Sequence, residues 1–568
     1  MKKDGRLYAL RHSAAHVLAQ AVLELYPKTK LTLGPVTENG FFYDFLPEEN
    51  LKEDDLSKIE AKMREILKKD YKIEGREVSK EEALKIYKDN PFKLEIIKGI
   101  EKGPITIFSQ GDFFDLCEGN HVESTKEVQH FKLMGISGSY WRGDRDGMAL
   151  QRISGVAFET AKDLEKYLKR IEEAKLYDHR KLGKELDLFS FHDEAPGSVF
   201  FHDKGLKIFN KLIEYSRKMH KDDYIEIKTP IILHEKLWKT SGHYDNYKEN
   251  MFFTTIDDAN YCIRPMNCPA SMLLYNERPH SYRELPLRVA EYGLDHRYEL
   301  SGVLHGLFRV RSFTMDDAHI FCTLDQVEDE VLKVLELANA MYKKFGFEKI
   351  KMILATKPEK AMGSDEVWDK ATDALKGALE RHGIDFAVSE GDGAFYGPKI
   401  ELRFEDAMGR DWQCGTIQLD FFQPENFNLE YITSDQSKKR PVIIHRAVYG
   451  SLERFIGILL EHYRGHLPFW IAPEQVRVLT ITDAQKDYAS KVLKELRAHN
   501  IEAYLDESGD QIGGQIRKAQ VDKIPWMLVI GKKEVENNTV TLRHSDGKQE
   551  FGLKLEDIIS KACELSEF

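Results

Sequence analysis

No run of about 18 apolar residues occurs in the 568-residue chain, so no membrane span, and no membrane partner, is expected. The start, MKKDGRLYALRHSAAH, lacks the apolar core of a secretory signal and begins a polar helix. Cysteine is scarce. The six are scattered, with no CxxC and no HExxH, which suits a reducing cytoplasm. Basic residues are outnumbered, 83 Lys and Arg against 95 Asp and Glu, for a net charge of −12. That balance argues against indiscriminate nucleic-acid binding but leaves room for a local basic face. What is present, 42% hydrophobic and 31% charged residues, fits a soluble globular protein of several domains.

The densest chemistry lies between Pro286 and Cys322, PLRVAEYGLDHRYELSGVLHGLFRVRSFTMDDAHIFC. Two β-branched and aromatic runs, VAEY and RSFTM, flank a polar loop, which predicts two antiparallel strands. Arg288, Arg297, Arg309 and Arg311 stand among Glu291, Asp295, Glu299, Asp316 and Asp317. Arginines at this density need anions: either neighbouring carboxylates on a solvated hairpin, or a bound polyphosphate.

HRYE, the loop and FRVRSFTMDDAHIFC resemble the second signature motif of class II aminoacyl-tRNA synthetases, in the form found in threonyl-tRNA synthetases. The resemblance extends from about Arg11 to the C-terminus. It implies an α+β and α/β multidomain chain: an α+β editing domain (1–160), a connecting helix (161–186), a class II antiparallel-sheet catalytic domain (187–470) and an α/β anticodon-binding domain (471–568). The implied activity joins threonine to tRNA(Thr) through threonyl-adenylate, using ATP with Mg²⁺, and clears mischarged seryl-tRNA(Thr). A cytoplasmic homodimer with one Zn²⁺ per subunit is implied too. Most of the family begin with a small ubiquitin-like domain; here the editing region begins almost at once.

In RHSAAHVLAQAVLELY, Val17, Leu18, Val22, Leu23 and Leu25 recur with a helical period, and His12 and His16 share one face. Cys117 and His121 follow in DLCEGNH. Read as residues, the four are either surface and capping groups or a zinc set. HSxAH and CxGxH match the family's editing domain, where they position water without an obligatory metal, so the resemblance assigns no zinc there. Ester hydrolysis needs a proton acceptor and a donor, and histidine serves as either near neutral pH. Asp115 and Tyr43 also match editing positions, and GSYWRGD, which holds Tyr140 to Asp144, matches the segment that closes the domain. Leu164, Leu168, Ile171 and Ala174 then stripe a charged helix. Arg170, Lys175, Arg180 and Lys184 on it are either solvated or near tRNA phosphates.

LKIFNKLIEYSRKMH predicts an amphipathic helix and DDYIEIKTPIIL a strand ending at Pro230, matching the first class II motif, the family's dimer interface. HRAVYGSLERFIGILLEH matches the third, with Gly450 letting the backbone come close. By resemblance Arg297 takes the α-phosphate and Arg309 the γ-phosphate; Glu299 faces the adenine edge, Phe313 stacks on its ring and Arg454 covers the other face. Cys268, His319 and His445 match the family's zinc ligands, though singly each is more often a core residue. One thiolate and two imidazoles leave a fourth tetrahedral position open. Asp317, Tyr396, Lys399, Gln413 and Ser451 match positions near threonine or adenylate. One match fails: Met315 stands where the family has Gln, and a thioether cannot supply an amide's donors.

After Pro473, VRVLTIT, EAYLDE, WMLVIG and TVTLRHS alternate with two helical stretches, a small α/β unit with a mixed sheet. Glu534 and Arg543 match positions that read anticodon bases, with opposite hydrogen-bonding character. The alternatives are another class II ligase, which the zinc set and HSAAH argue against, or a synthetase-like regulatory or RNA-binding protein without ligase activity. Such paralogues usually lose the motif arginines, which this chain keeps.

Overall fold

A computed structural model describes residues 5–101, 103–144, 147–406 and 409–567. The chain divides into two compact units, Met1–Glu172 and Glu173–Phe568.

In the first unit a four-stranded antiparallel sheet runs in the order Lys30–Leu31, Gly40–Leu46, Ala149–Phe158, His130–Tyr140. The helix Arg6–Leu25 packs into its core, burying Ala14, Ala15, Ala19 and Ala21 alongside Val17, Leu18 and Val22. The alanines are small enough to let helix and sheet approach closely. A smaller sheet of Glu74–Val78, Ile105–Gln110 and Phe113–Leu116 carries the helices Lys80–Ile86 and Pro91–Gly99.

The second unit is organised by an eight-stranded sheet, in the order Ile225–Glu226, Leu287–His296, Ser312–Cys322, Val442–Ala447, Asp411–Asp420, Lys399–Glu405, Ile350–Ala355, Phe386–Ser389. Its inner pairs are antiparallel, and the two outermost pairs are parallel. Alternation along the strands sorts the side chains. Ile320, Ile417, Leu419 and Ile444 join the core formed with the helices Asp203–His220, Val327–Lys344 and Leu452–His462. Their neighbours His319, Gln418 and His445 point the other way, and His445 is the register partner of both His319 and Gln418.

The strand expected across DDYIEIKTPIIL is broken. Only Ile225–Glu226 joins the large sheet, and Ile232–His234 pairs in a separate three-stranded sheet beyond Pro230, which has no N–H to give. The stretch 161–186 is two helices, Ala161–Leu176 and His179–Glu185, the second capped by Asp178, whose carboxylate accepts the Arg180 N–H. The C-terminal sheet is mixed, as expected, but has a fifth strand, Gln549–Leu553, and a closing helix, Leu555–Ser566. Among the described residues no helix is long and apolar enough to cross a membrane.

Candidate functional site

In the first unit, His12 and His16 lie one turn apart on Arg6–Leu25, and the loop after Phe113–Leu116 brings Cys117 and His121 to them. Gly119 (φ +103°) and Asn120 (φ +65°) turn that loop through left-handed conformations. Cys117 Sγ lies 3.3 Å from His12 Nε2 and 3.2 Å from His121 Nε2. Ser13 Oγ accepts the Val122 N–H and faces His121 Nδ1 at 3.1 Å, so His121 Nε2 is the nitrogen turned toward the sulfur. Burial lowers the proton affinity of His12, His16 and His121 and pushes the Cys117 thiol up to about 12. At neutral pH the cluster is therefore uncharged, able to accept and donate protons.

Asp115 and Tyr43 sit together behind it. Tyr43 Oη donates to Asp115 Oδ2 at 2.5 Å. Lys93 Nζ completes the group, 2.6 Å from Asp115 Oδ1 and 3.3 Å from Tyr43 Oη, with all three side chains buried. Sequence reasoning missed Lys93, because one lysine among many carries no mark of burial.

In the second unit two cavities adjoin. One, of about 290 Å³, is lined by Cys268, His319, His445, Asp317, Tyr396 and Met315 among others. Cys268 opens the helix Cys268–Tyr275, which packs on Phe321, on the same strand face as His319. The ligating atoms of Cys268, His319 and His445 lie within 4.8 Å of one another. His445 Nε2 is 2.9 Å from Asp420 Oδ2, leaving Nδ1 available. Burial pushes the Cys268 thiol well up, with Asp317 adding to it, and holds His319 well below its ordinary range. Two imidazoles and one thiol match the donor chemistry of zinc.

Asp317 accepts Asn267 Nδ2 at 2.6 Å, and the same nitrogen reaches Asp295 Oδ2 at 3.2 Å. Gly293 makes room for that amide, since a Cβ there would stand 1.9 Å from Asn267 Oδ1. Tyr396 donates to Gln418, which also lines the cavity. Asn267, Asp295 and Gln418 were not expected; nothing marks them locally, and only the fold brings them together. Lys399 pairs with buried Glu401 at 2.8 Å and lies outside the lining of both cavities.

The second cavity, about 780 Å³, meets the first at Arg297 and Met315 and is lined also by Glu299, Arg309, Phe313, Gln413, Ser451 and Arg454. Arg297 lies over Phe313 at 5.0 Å, and Arg309 pairs with Glu299 at 3.0 Å. Arg454 stacks on Trp412 at 5.5 Å, and Trp412 is stacked in turn by Arg410 at 5.0 Å. Ser451 caps Leu452–His462 by accepting the Arg454 N–H at 3.2 Å. The neighbouring turn is held by Asp316, whose carboxylate accepts the N–H groups of Val448, Tyr449 and Gly450 at 3.0–3.1 Å. Thus the first aspartate of the MDD run builds the site and the second faces the cavity.

Glu534 accepts the Gly531 N–H at 3.0 Å and the Thr541 hydroxyl at 2.9 Å. Arg543 lies on the next strand, Val540–His544, with Nε buried and without a hydrogen bond.

Residues 252–463 match the tRNA synthetase class II core domain (G, H, P, S and T), 475–565 the anticodon binding domain, and 105–154 the threonyl and alanyl tRNA synthetase second additional domain. The chain is 54% identical to a threonine–tRNA ligase of Acetivibrio thermocellus, over 99% of this chain and 89% of that one. It is 53% identical to that of Caldanaerobacter subterraneus subsp. tengcongensis, over 97% and 86%. A crystal structure titled as the RNA binding domain of threonyl-tRNA synthetase from Cryptosporidium parvum superposes with a TM-score of 0.67 at 44% identity, covering 68% of this chain and 98% of that one.

Proposed function

The chain belongs to the threonine–tRNA ligase family, and on that premise we propose how its residues divide the work. The family activity is to activate threonine with MgATP, giving threonyl-adenylate and pyrophosphate, and to transfer the threonyl group to tRNA with release of AMP. The second additional domain supports the editing of mischarged tRNA.

The larger cavity is read as the ATP site. Phe313 and Arg454 sandwich the adenine and Glu299 meets its edge. Arg297 holds the α-phosphate where the threonine carboxylate attacks, and Arg309 holds the departing pyrophosphate. The observation that carries this reading is that the two cavities meet at Arg297, between the phosphate clamp and the amino-acid pocket.

The smaller cavity is read as the threonine site. Cys268, His319 and His445 would hold one zinc ion, which when bound supplies a Lewis-acidic point of attachment for the amino acid. Asp317 receives the threonine hydroxyl, while Tyr396, Gln413 and Ser451 surround the carboxylate side. Lys399 is retained as a substrate contact on resemblance alone.

In the first unit, His12, His16, Cys117 and His121 hold the hydrolytic water and the ribose hydroxyl, with Tyr43 and Asp115 behind them, and no metal is assigned. Glu534 and Arg543 are read as anticodon contacts within 471–568. The domain division 1–160, 161–186, 187–470 and 471–568 is kept. A homodimer is supported by the exposed Ile225, Ile232 and Leu273 around the first-motif segment. Six free cysteines fit the cytoplasm. A regulatory paralogue is not favoured, since Arg297, Arg309 and Arg454 all line one cavity. The test is threonine-dependent ATP–pyrophosphate exchange without tRNA, with metal analysis. No exchange by protein holding one zinc per chain would refute the assignment of the two cavities.

A further inference from the structure

Asn267 stands where a helix is normally capped, and its side chain caps nothing. It is the residue before the helix Cys268–Tyr275, a position where asparagine usually accepts an N–H of the first turn. Pro269 removes one such N–H, and the Asn267 side chain makes no cap bond. The residue is fully buried, yet its Oδ1 has no hydrogen-bond partner. A buried amide oxygen left unpaired costs free energy. What the position keeps at that cost is the donor end of the amide.

The donor end meets two carboxylates, Asp317 Oδ2 at 2.6 Å and Asp295 Oδ2 at 3.2 Å. The sheet explains how one amide reaches both. Gly293 pairs with Met315 and Glu291 with Asp317, so Asp317 is a diagonal neighbour of Gly293, and Asp295 lies two residues along the same strand face. The amide fills the place of the side chain that Gly293 lacks. The three atoms nearest an added Cβ, at 1.9, 2.4 and 2.6 Å, all belong to it. Turned over, the amide would set its oxygen against two acceptors, so its orientation is fixed. Among the described residues Asn267 is the one hydrogen-bond donor to Asp317. Asp317 Oδ1 makes no hydrogen bond and is not sealed from solvent, and its half-buried residue lines the 290 Å³ cavity.

We propose that Asn267 is a positioning residue for hydroxyl recognition: by holding Asp317 Oδ2 it turns Oδ1 toward the cavity as the acceptor of the threonine hydroxyl. The proposal rests on the reading of this cavity as the threonine site. Asn267 is outside the cavity lining and acts through Asp317. It therefore favours amino acids that carry the hydroxyl and is silent toward the amino and carboxylate groups that all of them share.

The experiment measures pyrophosphate exchange with threonine and serine, inhibition by valine, KM for ATP and zinc per chain, in zinc-loaded full-length protein. Asn267→Ala is expected to lower kcat/KM for threonine and serine by ~10–100-fold, as for loss of a hydrogen bond to a charged group. The inhibition constant of valine should move by less than about threefold, with KM for ATP and zinc content unchanged. Gly293→Ala leaves Asn267 and Asp317 in the chain and displaces the amide with its Cβ. It should give the same split, and it serves if the Asn267 variant does not fold. If both variants keep the wild-type preference for threonine over valine while Asp317→Asn loses it, the proposal is overturned and the cavity reading stands. If Asp317→Asn keeps that preference too, the cavity reading falls and the proposal with it. Equal weakening of threonine, serine and valine, or loss of zinc, would show that Asn267 supports the whole pocket, and would overturn the proposal.

Discussion

His179 Nε2 accepts the backbone N–H of Leu307 at 3.0 Å, tying the helix His179–Glu185 to the loop that walls the nucleotide cavity. The other ring nitrogen lies 2.7 Å from Glu461, whose second oxygen meets Arg410 at 2.5 Å, and Arg410 stacks on Trp412. The ring also packs on Phe308 at 4.0 Å. Both walls of the cavity are therefore held through one fully buried imidazole.

His179→Ala is expected to raise KM for ATP several-fold while leaving KM for threonine near its original value, and to cost about 1–3 kcal/mol of stability through the groups left unpaired. Steady-state kinetics and denaturant unfolding check both. Equal changes in the two KM values would mean that the imidazole supports the whole sheet and not the loop. Gly306 reports on the same contact, since a Cβ there would stand 2.2 Å from His179 Nε2 at a φ of +48°. Gly306→Ala should mimic the histidine variant.

Asp420→Asn is expected to weaken metal retention. Asp420 holds His445 Nε2 and caps the following turn by accepting the N–H groups of Phe422 and Gln423. Partners that fix a ligating imidazole typically govern affinity by 10–100-fold. Competition with a chromophoric chelator reads this directly, and zinc affinity equal to the wild type would show that His445 is oriented by the strand alone.

The pH dependence of stability has a readable component at His220. Its ring meets Ser216 and Tyr292, and Arg446 faces it across the Tyr224 ring. Burial, then Arg446, lower its pKa to about 4. Below the ordinary value of about 6.5 the unfolded chain takes up a proton that the folded one refuses, so stability falls as pH drops from about 6.5 toward 4. At pH 5 the loss amounts to about 2 kcal/mol. His220→Gln removes this component, so the stability gap between wild type and variant should shrink by that amount between pH 7 and pH 5. A gap independent of pH would show that the imidazole is not kept neutral by the fold.

The long elements of this fold were legible because their patterns are strong. The hairpin of Leu287–His296 and Ser312–Cys322, the first helix and the C-terminal alternation all follow from periodicity. The two-residue strand Ile225–Glu226 was not, since an apolar run through Pro230 looks continuous until the pairing is known. Resemblance named Cys268, His319 and His445, which spacing alone could not select among twenty histidines. Lys93, Asn267, Asp295 and Gln418 stayed hidden because their role lies in burial and in neighbours distant in sequence. Asp316 and Asp317, adjacent in sequence, show the limit most clearly: alternation sends one into the turn of Val448–Gly450 and the other into the cavity.

The proposed roles of the two centres together predict the selectivity. With Asp317 read as the receiver of the hydroxyl, valine matches threonine in shape but leaves the half-buried Asp317 with Asn267 as its donor and no substrate hydroxyl. A site built around a substrate hydroxyl rejects the analogue lacking it by about 10⁴–10⁵. Serine keeps the hydroxyl and lacks only a methyl, which separates it by about 10–200-fold. Valine should therefore be refused at activation, while serine is activated at a measurable rate and must be removed after transfer. His12→Ala is expected to leave threonylation nearly intact and to let seryl-tRNA accumulate, because His12 belongs to the cluster with Cys117 and His121 and to neither cavity of the second unit. Lys93→Met should do the same by releasing Asp115 and Tyr43. The measurements are pyrophosphate exchange with the three amino acids and the hydrolysis of preformed seryl-tRNA. Wild-type clearance of seryl-tRNA by both variants would remove the hydrolytic role from this cluster, and valine activated as readily as serine would remove the discriminating role from Asp317.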